Sequence, residues 1–143
     1  MTNLLQSPLE LVPLCTVALD ISEPLTVGEG PSGTRIVAEI TRFDVSGERL
    51  NASLKGNAAA DWVAISGTTA TIDVRLNLET SDGAIIYVQY QGRSDISEGI
   101  GAAPFYVAPR FETAHPDYAW LNLIQAAGKG SLGDKRYEWY ELR

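Results

Sequence analysis

The sequence has one cysteine and one histidine. One cysteine excludes an internal disulfide, and one histidine excludes a multi-histidine metal site. No His or Cys spacing suits zinc. A Ser–His–Asp triad would have to use His115, and no nucleophile elbow is visible. No stretch approaches the roughly 18 apolar residues of a membrane helix. The first eight residues carry neither a basic segment nor a long apolar core, so they do not read as a secretory signal, and the expected location is cytoplasmic. Positive charge is also scarce: 11 Lys and Arg stand against 18 Asp and Glu, for a net charge of −7. That balance disfavours nucleic acid and anionic membranes as partners, since both need a basic surface to meet. The glycine-rich segment from Gly28 to Gly33 reads as a flexible loop; it has no helix after it and fits no phosphate-binding fingerprint. Nothing calls for a cofactor or a metal.

What is present is a β-rich pattern. Val, Ile and Thr supply 29 of the 143 residues, which leans towards strands. A chain of this length makes one domain, read here as a single barrel over residues 1–143 with 1–8 as an N-terminal extension. Helical periodicity is confined to possible turns in residues 1–10 and from Pro116 to Asn122. Short runs separated by turn residues suggest about nine strands. They are Leu9–Leu19, Thr34–Phe43, Leu50–Lys55, Asp61–Ile65, Thr69–Thr80, Ala84–Gln91, Pro104–Thr113, Trp120–Ala127 and Lys135–Leu142. Pro109 inside its run suggests an edge or a bulge. Ser81-Asp82-Gly83 is a hairpin signal, and Gly128–Asp134 reads as a turn. An all-β antiparallel barrel is expected, because closure removes the edges that so many short strands would otherwise expose. Cys15, in an apolar run, reads as a buried, inert thiol. His115, its obvious base, sits in an apparent exposed turn, Ala114-His115-Pro116-Asp117.

The clearest strand poses a choice. Ile72, Val74, Leu76 and Leu78 share one face, and Thr71, Asp73, Arg75, Asn77 and Glu79 share the other. Either the aliphatic row fills the barrel and the charges are solvated, or the polar row lines the lumen. Alternation alone favours the first. In the other strands, Tyr87 shares a face with Gln89. Tyr106 and Arg110 lie opposite in phase to Phe111, and Trp120 lies in phase with Asn122.

The stretch Thr71-Ile72-Asp73-Val74-Arg75 with Thr80-Ser81-Asp82-Gly83-Ala84-Ile85-Ile86-Tyr87, then Pro109-Arg110-Phe111-Glu112-Thr113, then Trp120-Leu121-Asn122, resembles a known family. That family is the domain of unknown function numbered 3237, also called UPF family 0311. The resemblance runs from about Leu9 to the C-terminus. It implies an antiparallel β-barrel, lipocalin-like in outline, and no particular activity. It also tips the expectation for Asp73 and Arg75 towards the lumen, together with the Asp61-Trp62 step. The family usually carries glycines before its Asp-Trp, whereas this chain has Ala58-Ala59-Ala60, so the backbone there departs from the pattern.

A carboxylate desolvated without a cation is pushed towards neutrality and can act as a general acid or base. Asp61 is the candidate for that role, with Arg75 binding a substrate carboxylate or enolate oxygen. Trp62, Asp73, Tyr87, Tyr106, Phe111, Trp120 and Asn122 are candidate ligand contacts. The first reading is a barrel that binds a small, partly apolar organic molecule in its lumen. The second is a cofactor-independent lyase, isomerase or cyclase using the same pocket. The third is a structural module that forms a homodimer through apolar outer faces.

Overall fold

Strict alternation of buried and outward side chains runs through the two strands of the central hairpin, Thr69–Thr80 and Ile85–Asp95, and helps wrap one sheet around a core. In the computed structural model, which describes residues 4–143, the strands are β1 Leu11–Ile21, β2 Leu25–Gly30, β3 Gly33–Ser46, β4 Ala52–Leu54, β5 Ala60–Ser66, β6 Thr69–Thr80, β7 Ile85–Asp95, β8 Phe105–Val107, β9 Arg110–Glu112, β10 Ala126–Ser131 and β11 Arg136–Leu142. A 3-10 helix spans Pro116–Leu123. The antiparallel pairings run β1–β3–β5–β6–β7–β8–β10–β11 and return to β1, which closes the barrel. β2 extends the edge of β3, β4 bridges β3 and β6, and β9 lies on β7. Among the described residues, no helix is long and apolar enough to cross a membrane.

The hairpin at Ser81–Gly83 forms where its turn residues place it, with Gly83 at φ 87°, a conformation that glycine adopts without a Cβ clash. Asp82 accepts hydrogen bonds from the Thr80 and Tyr118 hydroxyls, which ties this turn to the 3-10 helix. Pro109 separates β8 from β9, so the expected strand Pro104–Thr113 is two short ones. Both halves pair with β7, at different points along it.

Four expectations need correction. The run Trp120–Ala127 is not a strand. Pro116 opens a 3-10 helix there, capped by His115 Nδ1, which accepts the Asp117 N–H at 3.2 Å, and the cap outweighs the alternation in Trp120, Asn122 and Ile124. The strand lies later, at β10, in a segment whose glycines read as a turn. Gly128 and Gly130 stand opposite Trp139 and Tyr137, and those rings occupy the space a Cβ would need. The loop from Gly28 to Gly33 is mostly strand, its hairpin bent by a register shift at Thr26/Gly28. A second shift, at Pro13/Cys15, buries Leu14 and Cys15 side by side and leaves Leu9 and Leu11 exposed. Of the possible helical turn in residues 1–10, residues 1–3 lie outside the described ones and residues 4–7 form a turn without a helix.

One half of the barrel is solid. Phe43, Leu50, Leu78, Ile86, Leu121 and Trp139 are almost wholly buried there, with the 3-10 helix and β4 over that end. Their rings meet at angles, Phe43 to Trp139 at 5.8 Å and Phe111 to Trp139 at 5.9 Å, as aromatic quadrupoles prefer. The other half is open.

Candidate functional site

The open half holds a cavity of about 270 Å³. Its walls are the inward aliphatic residues of β3, β5 and β6, such as Ile36, Ile40, Val63, Ile65, Ile72 and Val74. The mouth is flanked by Ile100, Leu132 and Lys135, from the β7–β8 and β10–β11 connections. The aromatic floor is Tyr90 and Tyr137, whose rings meet edge to face at 5.5 Å. Among the described residues, only two charged side chains border this space. Lys135, at the mouth, pairs with Asp20 at 3.5 Å. Asp61, in the wall, faces the floor.

Asp61 is held by an interruption in the sheet. The β5–β6 ladder pairs Asp61 with Val74 and Ala64 with Thr71, but omits the two positions between. In that gap the Asp61 Oδ1 accepts the Asp73 backbone N–H at 3.1 Å. The neighbouring Trp62 carbonyl accepts from Arg35 Nη1 at 2.9 Å. The aliphatic surroundings desolvate the Asp61 carboxylate and push it up from the usual 3.8 to about 6. The Asp73 N–H opposes that shift, and the Asp73 charge adds to it slightly. Burial raises both floor tyrosines far above the ordinary phenol range. The two rings sit against each other, and both phenols feel the Asp61 charge. The result is an apolar chamber with one titratable carboxyl and two neutral phenols at its inner end.

The candidate residues therefore divide. Asp61 lines the lumen. Asp73 reaches the same place only through its backbone, because its side chain lies on the outer face of β6. Arg75 is exposed on that outer face, so the expectation that Asp73 and Arg75 point inward is overturned: Ile72, Val74, Leu76 and Leu78 fill the interior instead. Trp62 is 45% exposed on the outer wall and Tyr106 57% exposed. Tyr87 is also on the outside, where it donates to Gln89 Oε1 at 2.9 Å. Trp120 lies on the 3-10 helix beneath the Arg49 guanidinium, 4.8 Å from its ring centroid. Asn122 clamps Thr113 through two backbone hydrogen bonds, both 2.9 Å long. Phe111 is inward but belongs to the solid half. Cys15 is buried, and desolvation raises its thiol to about 12, too high for a nucleophile at neutral pH. The cavity residues that the sequence candidates leave out include Tyr90 and Tyr137. Tyr90 was legible from its phase with Ile86 and Val88. Tyr137 was not, because the glycines that make room for its ring resemble a turn.

Asp82, His115 and Asp117 are the one described group of three potential metal ligands, their donor atoms within 4.8 Å of one another. The Nδ1 lone pair of His115 is already engaged by the Asp117 N–H. A neutral ring then carries its proton on Nε2 and offers a metal no free lone pair. The cluster works as a helix cap.

Comparison with known proteins agrees with this architecture. The model of a family described as a protein of unknown function, DUF3237, matches residues 9–142. A UPF0311 protein of Rhodopseudomonas palustris is 27% identical over 118 residues, covering 74% of this chain and 77% of that protein. A β-barrel-like protein of Acinetobacter baumannii, solved by crystallography, superposes with a TM-score of 0.85 at 28% identity, over 99% of this chain and 100% of the other. A crystal structure from Penicillium herquei, described as that of an enzyme, superposes with a TM-score of 0.77 at 21% identity, over 99% and 100% of the two chains.

Proposed function

The chain belongs to the DUF3237 family of proteins of unknown function, and from that footing we propose that its barrel binds one small, uncharged, largely apolar organic molecule in the open half of the lumen. The observation that carries this reading is the composition of the cavity: aliphatic walls, one carboxyl and two phenols at the inner end, and a cation only at the mouth. A ligand bearing a carboxylate would meet Asp61 with no cation beside it, and like charges in a dry site repel strongly. A ligand with a hydroxyl or amide at one end satisfies Asp61, Tyr90 and Tyr137 while the walls take its apolar body. That pairing of apolar bulk with a few fixed polar groups is the usual chemistry of such sites.

A thermal-shift screen of neutral and anionic compounds tests the reading. A neutral ligand at a hundred times its dissociation constant adds about 2.7 kcal/mol of stability. The shift is lost in Ala70→Phe, which fills the cavity from β6. If anionic compounds stabilise the protein and neutral ones do not, or if Ala70→Phe responds as the parent does, the reading fails.

A second reading, catalysis without a cofactor, is favoured by the titration of Asp61. A carboxyl near 6 exchanges a proton readily at neutral pH and suits a general acid or base. The Penicillium neighbour, described as an enzyme, shares the barrel. In this reading Asp61 moves the proton, and the tyrosine hydroxyls hold the oxygen on which charge develops. Turnover that survives Asp61→Asn with ligand binding intact would remove Asp61 from that role.

A further inference from the structure

Arg75 has no part in the lumen, yet its outer surroundings are unusual for an acidic chain. Of the 11 Lys and Arg residues, Arg42, Arg49, Lys55, Lys135 and Arg143 are ion-paired with carboxylates at 2.7–3.5 Å. Arg35 is engaged by the Trp62 carbonyl. Arg75, Arg93, Arg110, Lys129 and Arg136 have no carboxylate partner among the described residues. Four of these five, all but Arg136, lie on β6, β7, β9 and β10, on the outer wall of one side of the barrel.

Within that wall three donors stand in one row. Arg75 on β6 pairs with Gln89 on β7, and Gln89 pairs with Arg110 on β9. Directly opposed residues in antiparallel strands project from the same face. The Tyr87 hydroxyl takes the Gln89 Oε1, so the end of the amide left for a ligand is its N–H₂. The row therefore presents guanidinium, amide N–H and guanidinium. At a strand spacing of about 4.8 Å, the two arginine backbones stand about 10 Å apart, a gap that two arginine side chains close from both ends. Planar guanidinium forks match the oxygens of carboxylate and phosphate.

We propose that Arg75, Gln89 and Arg110 form a second, outer binding site for the carboxylate or phosphate group of a small molecule. The ligand's uncharged part lies in the adjoining depression, lined by Tyr87, Asn122 and Ile124, with Glu112 at its edge. Asp73 beside Arg75 and Glu112 beside Arg110 border the row on their strands. They limit the site to a single anionic group and exclude a polyanion. The site is independent of the lumen, from which the barrel wall separates it.

The test is NMR titration of the intact protein with sodium phosphate and with sodium acetate, at constant ionic strength set with sodium chloride. The Gln89 side-chain amide and the Arg75 and Arg110 Nε–H resonances are expected to shift saturably. Arg75→Gln and Arg110→Gln each weaken binding at least tenfold, while Arg93→Gln on the same wall leaves it within twofold. Saturation by phosphate alone assigns a phosphate ligand, by acetate alone a carboxylate ligand, and by both an oxyanion site open to either. Shifts that do not saturate with either salt, or an equal loss in Arg93→Gln, overturn the proposal. Arg75→Gln leaves the thermal-shift response to lumen ligands unchanged, so a failure here and a failure of the lumen reading are told apart.

Discussion

The Asp61 carboxylate accepts the backbone N–H of Asp73 at 3.1 Å, across a break in the β5–β6 ladder. Two acidic residues twelve apart in sequence are thereby joined by one side chain and one main-chain group. Asp61 substitutes for a missing ladder partner and turns its charge into the lumen, while the Asp73 side chain stays outside. One hydrogen bond thus fixes the orientation of the only carboxylate that the described residues place in the cavity wall. Burying that carboxylate has a thermodynamic consequence that can be measured.

Asp61 makes the protein less stable as pH rises. Its carboxyl titrates near 6 in the fold, against 3.8 in an unconstrained chain, so between those values the native state holds a proton that the unfolded state has released. Stability from this group is full below about pH 4, falls as pH rises to about 6, and stays lower above that. A shift of about two pH units corresponds to about 3 kcal/mol. Asp61→Asn keeps an acceptor for the Asp73 N–H and removes the charge. Urea denaturation is expected to find it more stable than the parent at pH 7.5 by up to that amount, and equal to it near pH 3.5. Equal stability at both values would mean that water solvates the carboxylate in the cavity.

Gly130 and Gly128 give a test of packing. A Cβ on Gly130 would overlap the Tyr137 ring, and one on Gly128 the Trp139 ring. Gly130→Ala is expected to force Tyr137 towards the lumen, cost about 1–3 kcal/mol as overpacked cores do, and weaken any lumen ligand. Gly128→Ala strains the solid half instead, so it costs stability and leaves ligand binding unchanged among molecules that remain folded. Calorimetry and the ligand screen together separate the two.

These glycines also show how far the sequence is readable. Alternation in Thr69–Thr80 and the Ser81-Asp82-Gly83 turn are local signals, and the central hairpin follows from them. The inward row of Ile72, Val74, Leu76 and Leu78 is what alternation alone favours, and only the family pattern, taken as a lumen lining, points Asp73 and Arg75 the wrong way. The position of β10 is not local. A strand whose inward residues are glycines looks like a turn until the rings of Tyr137 and Trp139, contributed by another strand, are placed against it. The role of Asp61 mixes the two cases. Its residue type marked it as the acid–base candidate, but its desolvation depends on β3, β6 and the floor tyrosines, none adjacent to it in sequence.

Asn122 anchors the 3-10 helix to the end of β9 by accepting the Thr113 N–H and donating to the Thr113 carbonyl, both at 2.9 Å. Its Trp-Leu-Asn block therefore reads as a clamp. Asn122→Ala removes two hydrogen bonds at a solvent-accessible place and is expected to cost about 1–2 kcal/mol. Hydrogen exchange of the helix amides and of Thr113 should quicken, while amides of β5 and β6 keep their protection. Lumen binding changed more than twofold in this variant would give Asn122 a role beyond the clamp.

Ligand affinity itself should report the Asp61 proton. A hydroxyl or amide N–H on a neutral ligand bonds more strongly to the ionised carboxylate than to the protonated carboxyl, because a hydrogen bond to a charged group is roughly twice as strong. Such a ligand lowers the Asp61 pKa when bound. By linkage its affinity rises with pH up to about 6 and then levels. In Asp61→Asn the same profile is flat. Isothermal titration between pH 5 and 8 measures the slope directly. An affinity that falls with rising pH would mean that the protonated carboxyl donates to the ligand, as to a carbonyl oxygen, and that Asp61 enters any reaction as the acid.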